Sequence, residues 1–566
     1  MPIIDEIKQD ILRSFNSLNL EVDEKEISIN PDEIEAEISV KLFKLARKYN
    51  KDLRDLGNFL ETSLKNIKYV KEIEFINGYL NFYIDWQNLF DYLNLDVKKI
   101  KESGINIGKN KKIIVDFSSP NIAKPMSVAH LRSTIIGDSL ARIMEKLGYK
   151  VIRDNHLGDW GTQFGKLILA YKMWGNEEEV EKNKVYALFQ LYVKFHKECE
   201  KNKELEDLAR KEFKKLEEGD KENLKLWKWF VEISKKEFMK IYDLLNVRFD
   251  LWLGESFYVE EAKKLVEFAL EKGIAVKDEG AVIIPLEDHG LPNLVIQKSD
   301  ESTLYATRDL ACIKYRVEKF KPEKIVYVVG SEQKLYFKQV FKAAELLGIK
   351  KCDLIHVDFG LLRLPEGKLS TRKGRVVFLE DVINKSIEEA RKIIIERGKI
   401  KDKEKMEECA RKIGISAIKF ADLSKNRRTD IVFDFKKMLD FEGDTAPYLQ
   451  YTYVRASSIL KKAREKREKV TENYNYEPNK VEKMILRNLM VFPEILLKAN
   501  EYYEPHRIAE HLLKIARYFN SFYQKYPIIG EKDANARSFR LKLTEAVMNS
   551  INLGLGLLGI DVLEEM

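Results

Sequence analysis

The stretch from Lys111 to Asp159, KKIIVDFSSPNIAKPMSVAHLRSTIIGDSLARIMEKLGYKVIRDNHLGD, decides how the rest of the chain is read. Lys112 to Phe117 is a short apolar, β-branched run of the kind that forms a buried strand. Ser118-Ser119-Pro120-Asn121 breaks it. Leu131, Ile135, Leu140, Ile143 and Leu147 then recur at helical spacing, Gly148 stops the helix, and Val151-Ile152 starts another strand. Strand, helix, strand is one βαβ unit of a parallel sheet.

The loop before the helix carries the chemistry. Lys124, Ser127, His130 and Ser133 crowd the helix start, where free N–H groups and partial positive charge hold phosphate well. The loop has no GxGxxG, and the chain has no GxxxxGK[ST]. A nucleotide bound here would meet histidine and lysine rather than a glycine cradle. Taken alone, the same residues also suit an ordinary α/β loop.

The 566 residues allow about three to five domains. A net charge of +7, from 99 basic and 92 acidic residues, permits nucleic-acid binding without demonstrating it. The cysteines, at 199, 312, 352 and 409, form no CxxC pair, so neither a disulfide framework nor a metal site is expected. MPIIDEIKQD does not read as a signal peptide, and no apolar run reaches the ~18 residues of a membrane span. A cytoplasmic protein is expected.

In chain order, residues 1–108 read as a small α/β domain. Ile38 to Tyr49 and Leu53 to Ile67 have helical spacing there, and Asn77-Gly78 marks a hairpin. Residues 109–176 hold the βαβ unit. In Asn155-His156-Leu157-Gly158-Asp159-Trp160-Gly161, the glycines suggest backbone close to a ligand at a strand's carboxyl end, though a plain strand-to-helix turn would also use glycine. Residues 177–290 form a mainly helical insertion, whose Trp227, Trp229 and Phe230 read as core. Residues 291–380 supply a second half-sheet, with the strand Ile325–Val329 ended by Gly330-Ser331-Glu332-Gln333. Ahead of it, Tyr305 and Asp309 stand at i and i+4, one helical face. A phenol beside a carboxylate can receive a guanidinium; equally, Asp309 could pair internally with Arg308 or Lys314. Residues 366–375, EGKLSTRKGR, form a basic turn bracketed by glycines. It suits a triphosphate gaining charge in a transition state, or simply solvent. Residues 381–436 connect to residues 437–566, which are helical only and interleave basic residues with tyrosines, as RNA contacts do.

The phrases NIAKP…VAHLRSTIIGDS, NHLGDWGTQFG, TLYATRDLA, KLSTRKGR and GDTAPYLQYTYVR, with the ending LGLLGIDVLEEM, resemble in content and order the arginyl-tRNA synthetases, a class I aminoacyl-tRNA synthetase family. The resemblance implies an α/β fold: a doubly wound, Rossmann-like parallel-sheet catalytic domain with a helical insertion, an N-terminal α/β domain and a C-terminal all-helical anticodon-binding domain. It implies ATP and Mg2+, L-arginine and tRNA(Arg) as substrates and partners, no membrane, and a monomer. The class I HIGH tetrad falls on Ser127-Val128-Ala129-His130 and keeps only its second histidine. The KMSKS pentad falls on Lys368-Leu369-Ser370-Thr371-Arg372, with Thr371 replacing its second lysine. Lys124 and Lys373 are the substitute cations. By resemblance, His130, Lys124, Lys368, Ser127 and Ser370 are catalytic and, with Lys373, bind ATP. Tyr305 and Asp309 hold the guanidinium, Asn121 and Gln333 lie near the α-amino and carboxylate groups, and Tyr523 and Met566 face the anticodon. Family members typically need bound tRNA even for the first step. Two other readings stay open: a synthetase of the same class for another amino acid, and a catalytically silent tRNA-binding paralogue.

Overall fold

The computed structural model describes residues 3–90, 105–300, 302–363, 377–398, 400–468 and 475–566. Near the amino terminus, strands β1 (Ile27–Ile29), β2 (Ile38–Lys41), β3 (Val70–Ile76) and β4 (Tyr79–Ile84) form an antiparallel sheet in the order β1-β2-β4-β3. Asn77 and Gly78 turn the β3–β4 hairpin with φ of 50° and 85°, the left-handed backbone that tight hairpins favour. The helix expected over Ile38 to Tyr49 is corrected: its first part is β2, and only Phe43–Lys48 is helical. Ile38 and Val40 pair with Phe82 and Leu80 of β4 and are fully buried. Their period-two alternation runs straight into the helical spacing of Leu45 and Ala46, and the pairing with β4 decides between the two patterns.

The central sheet consists of β5 (Lys112–Asp116) and β6 (Lys150–Asp154) from the first half, and β10 (Lys324–Gly330) and β11 (Asp353–Phe359) from the second. All its pairs are parallel, in the order β11-β10-β5-β6. The helix Val128–Lys146 crosses from β5 to β6, and Lys334–Leu346 from β10 to β11. The two βαβ units therefore wind outward from neighbouring strands. Where the order reverses, between β5 and β10, a crevice opens beyond the carboxyl ends of the strands.

Between the halves lie the helices Glu177–Asn183, Val185–Lys201, Glu204–Glu217 and Lys221–Leu244, then Val259–Glu271 and a small antiparallel sheet of β7 (Val276–Asp278), β8 (Ala281–Ile284) and β9 (Leu294–Gln297). Phe230 is fully buried, as expected of core. Trp227 also does positioning work, donating its indole N–H to the Asp159 carbonyl at 2.8 Å.

The carboxyl-terminal part is helical: Leu379–Arg397 and Lys403–Leu423, then Ala446–Glu465, Lys480–Glu501, His506–Lys525 and Ala534–Leu557. A two-residue parallel pairing of β12 (Leu362–Arg363) with β13 (Ile431–Val432) fastens it to the sheet domain. The helix Val128–Lys146 is enclosed by these elements, and its polar residues Arg132, Ser133, Thr134, Asp138 and Ser139 are all buried. Ser139 Oγ donates to the Leu557 carbonyl at 3.0 Å. Arg487 donates to the carbonyls of Ile34 at 2.6 Å and Glu35 at 2.7 Å, joining the two ends of the chain.

Candidate active site

The crevice at the strand reversal is a cavity of about 720 Å3. Its first wall is the β5-to-helix loop, where Ser118, Ser119 and Ala123 have φ of 72°, 46° and 61°. Such backbone persists in non-glycine residues only where the surroundings fix it. Here they do. Ser118 N–H donates to Ser133 Oγ at 2.8 Å, Ser119 N–H to Asn155 Oδ1 at 3.1 Å, and Ala123 N–H to Ser234 Oγ at 2.9 Å. The bent loop brings Asn121 to the cavity and pairs it with Gly158. A Cβ on Gly158 would stand 2.2 Å from Asn121 Oδ1, so the close approach read from that glycine is to the loop itself. Gly161 has φ of 118°, backbone reserved for glycine.

The loop ends at the helix carrying His130. Ser127 is its N-cap, and His130 completes a capping box with its ring where a glutamate usually serves. The Ser127 backbone N–H donates to His130 Nδ1 at 3.1 Å. Nδ1 is then an acceptor, and the ring's hydrogen sits on Nε2. Burial, with a smaller push from the charge of Lys124, lowers the His130 pKa. The imidazole is a neutral N–H donor lining the crevice beside the helix N-terminus. Lys124 and Ser127 themselves are not among the lining residues. The Lys124 amine stands 4.7 Å from the centre of the Tyr192 ring in the insertion, and burial lowers its pKa.

The second wall is the helix Tyr305–Phe320, on which both Tyr305 and Asp309 line the cavity. The internal partners available to Asp309 are engaged elsewhere: Arg308 pairs with Glu255 at 2.8 Å, and Lys314 with Glu261. Asp309 accepts from the Tyr336 hydroxyl and faces His156 Nε2 at 3.6 Å. Burial raises its pKa, against the opposing pull of His156 and Tyr336. Beneath it, Arg316 bridges Asp116 at 2.5 Å and Asp154 at 2.8 Å, the last residues of β5 and β6. Glu255 is pushed up to about 7 by burial, with Arg308 and His156 drawing it down and Asp309 adding to the rise. Carboxylates thus outnumber guanidinium groups around this end of the crevice, which suits a cationic ligand.

Gln333 follows β10 and also lines the cavity. The structure therefore gathers Asn121, His130, Tyr305, Asp309 and Gln333 into one space. Lys368, Ser370 and Lys373 lie outside the described residues. Tyr523, on the helix His506–Lys525, has the Arg455 guanidinium 5.0 Å from its ring centre and is well exposed; Met566 packs partly against the helical core. Reasoning from sequence missed Glu255, Arg316 and Tyr336. Tyr336 follows Gln333 by less than one helical turn and was within reach of the same argument; Glu255 sits in a 3-10 turn with no periodic signal.

Comparison with known proteins gives the family. The family model "tRNA synthetases class I (R), catalytic domain" matches residues 92–435, "DALR anticodon binding domain" residues 449–566, and "Arginyl tRNA synthetase N terminal domain" residues 3–84. The arginine–tRNA ligase of Halothermothrix orenii is 42% identical over 100% of this chain and 99% of its own. That of Clostridium perfringens is 42% identical over 98% of each. Among solved structures, Plasmodium falciparum arginyl-tRNA synthetase superposes with a TM-score of 0.77 at 25% identity, covering 100% of this chain and 98% of its own. The Thermus thermophilus enzyme shares the fold, with a TM-score of 0.80 at 23% identity over 99% of each chain. Relatives matched from end to end, with three family domains in series, show that this chain belongs to the arginyl-tRNA synthetases, class I enzymes that charge tRNA with arginine.

Proposed function

We propose that the crevice is where L-arginine meets ATP, with Asp309 and Tyr305 receiving the guanidinium, Asn121 and Gln333 the α-amino and carboxylate groups, and His130 the triphosphate. One observation carries this: Asp309 is a cavity-lining carboxylate, and the two cations read from the sequence as its internal partners, Arg308 and Lys314, are paired to Glu255 and Glu261 instead. A guanidinium can give such a carboxylate two parallel N–H bonds, and Tyr305 can accept a third. Lysine would leave part of this polar surface unpaired, which discriminates strongly.

In the first step the ionised arginine carboxylate attacks the α-phosphorus. A bond forms from carboxylate oxygen to phosphorus, the bond to the bridging oxygen breaks, and pyrophosphate leaves with the electron pair. No base is needed, because the attacking oxygen carries no proton. Catalysis is positioning plus charge stabilisation. His130 Nε2–H, the helix N-terminus and the positive charge of Lys124, near enough to act on His130, serve the phosphates. Lys368, Ser370 and Lys373 join them through the KMSKS-like segment. Among the described residues no cluster of His, Cys, Asp and Glu is built to hold a metal. Mg2+ would enter with ATP, carried by phosphate oxygens and water. The arginyl group then passes to the 3′-terminal adenosine of tRNA(Arg). Residues 1–108 contact the tRNA, and residues 437–566, with Tyr523 and Met566, face its anticodon. We place this activity in a cytoplasmic monomer.

The test is arginine-dependent ATP–pyrophosphate exchange in the presence of tRNA. Asp309→Asn should raise KM for arginine about a hundredfold or more, the scale of a lost charge-assisted bidentate pair. KM for ATP should stay within about twofold of wild type. Normal arginine use by this variant removes the pocket assignment.

A further inference from the structure

Two residues beyond His130 in the same helix stands Arg132. It does not line the crevice, and its side chain is buried to 1% exposure. Every N–H of its guanidinium is used. Nε donates to Asp422 Oδ2 at 3.0 Å, and Nη2 to Asp422 Oδ1 at 3.0 Å and the Arg427 carbonyl at 3.0 Å. Nη1 donates to the carbonyls of Gly360 at 2.7 Å and Thr429 at 2.9 Å.

These acceptors come from separate parts of the molecule. Asp422 lies on the helix Lys403–Leu423, Gly360 directly follows β11, and Arg427 and Thr429 belong to the segment leading to β13. Arg427 extends the connection, donating to the Asp358 carbonyl at 2.7 Å and to the Tyr503 carbonyl at 3.0 Å. Gly360 has no room for a side chain, since a Cβ would meet the Arg428 carbonyl at 2.7 Å. The acceptors are mostly backbone carbonyls in close-packed surroundings, so the guanidinium is held at a fixed point. Residues two apart on a helix point about 200° apart around its axis. The grip on Arg132 is thus on the side of the helix away from His130.

We infer that Arg132 is a positioning residue for adenylate formation: by anchoring the first turns of its helix to the exit of β11 and to the helical domain, it sets where His130 meets ATP. This rests on the placement of ATP beside His130 proposed above. Lysine cannot replace it, because three rotatable donors on a point charge do not reproduce five in a planar fork.

The experiment compares Arg132→Lys, His130→Ala and the double variant, each as the full chain with tRNA. Arg132→Lys should lower arginine-dependent exchange about a hundredfold, the cost of a misplacement of about 1 Å at a reacting centre, with the loss in the ATP parameters. Arginine affinity measured by calorimetry without ATP should stay within about twofold. In the double variant the losses should not multiply, because Arg132 acts through His130. Asp422→Asn, which keeps volume and one acceptor, should show the same pattern more weakly and decides the matter if Arg132→Lys does not fold. Multiplying losses, or an equal fall in arginine affinity, would overturn the inference by making Arg132 a general structural tie. His130→Ala at wild-type exchange would instead overturn the site reading beneath it, and with it this role.

Discussion

The Asp309 carboxylate and its neighbour Glu255 set a condition on the first substrate. Glu255 is raised from 4.5 to about 7, and Asp309 is raised as well, both chiefly by burial. The folded, empty crevice therefore binds protons that the unfolded chain would release. The stability these carboxyls contribute is complete below their unfolded values and is lost as pH rises through their raised ones, about 7 for Glu255. A bound guanidinium reverses the preference, because it favours the ionised carboxyl. Arginine binding should thus expel protons, and its affinity should weaken as pH falls below about 7, by at most about tenfold per pH unit for each proton released. Calorimetry in two buffers of different ionisation enthalpy counts those protons. Glu255→Gln should flatten the dependence between about pH 6 and 8, and a wild-type affinity indifferent to pH across that range would take Glu255 out of the binding equilibrium. At this scale the sequence was partly legible. Tyr305 and Asp309 share a helix, so their i, i+4 spacing could be read directly. Glu255 reaches the same crevice from a 3-10 turn many residues earlier in the chain. Only the tertiary fold brings it there.

Among the elements, the β5-to-helix loop shows most clearly what local patterns carry. The break at Ser118-Ser119 was readable, but the left-handed turn it encodes was not. That turn depends on Ser133, Asn155 and Ser234, whose side chains accept the loop's N–H groups from elsewhere in the fold. Gly158, itself buried, is the tight joint of this arrangement, because its missing side chain is what lets Asn121 lie where it does. Gly158→Ala should push the Asn121 amide aside while leaving strands and helices intact. The expected result is a rise of up to about tenfold in KM for arginine, the scale of one displaced hydrogen bond. The thermal midpoint should move by a few degrees at most. Unchanged arginine kinetics would show that Asn121 does not contact the substrate. The misread helix over Ile38 to Tyr49 has a related cause. Alternation and helical spacing abut there within a few residues, and β4, distant in sequence, selects the strand. Hydrophobic spacing similarly marked one stripe of the helix Val128–Lys146, although the helix is buried on its polar side too, where Arg132 and Ser139 find partners in later elements.

Across the whole molecule, the doubly wound sheet was legible because each βαβ unit is local in sequence, whereas the packing of the amino-terminal domain on the carboxyl-terminal helices was not. That packing includes a buried ion pair. Glu37 is 4% exposed and accepts from the Ile84 N–H at 2.8 Å and the Trp86 indole at 3.2 Å, with Arg487 Nε at 3.3 Å. Arg487 also donates to the carbonyls of Ile34 and Glu35. Removing one partner of such a pair leaves a buried charge uncompensated, at a cost of about 3–5 kcal/mol. Arg487→Met keeps the bulk and removes the donors. Hydrogen exchange should then quicken in β1 to β4, while β5 and β10, which share none of these bonds, keep wild-type protection. Because residues 1–108 are proposed to touch tRNA, KM for tRNA in aminoacylation should rise several-fold with the KM values for arginine and ATP unchanged. If protection falls equally in β5 and β10, Arg487 supports the fold as a whole instead. If tRNA use is unaffected once β1 to β4 have loosened, the amino-terminal domain does not contribute to tRNA binding.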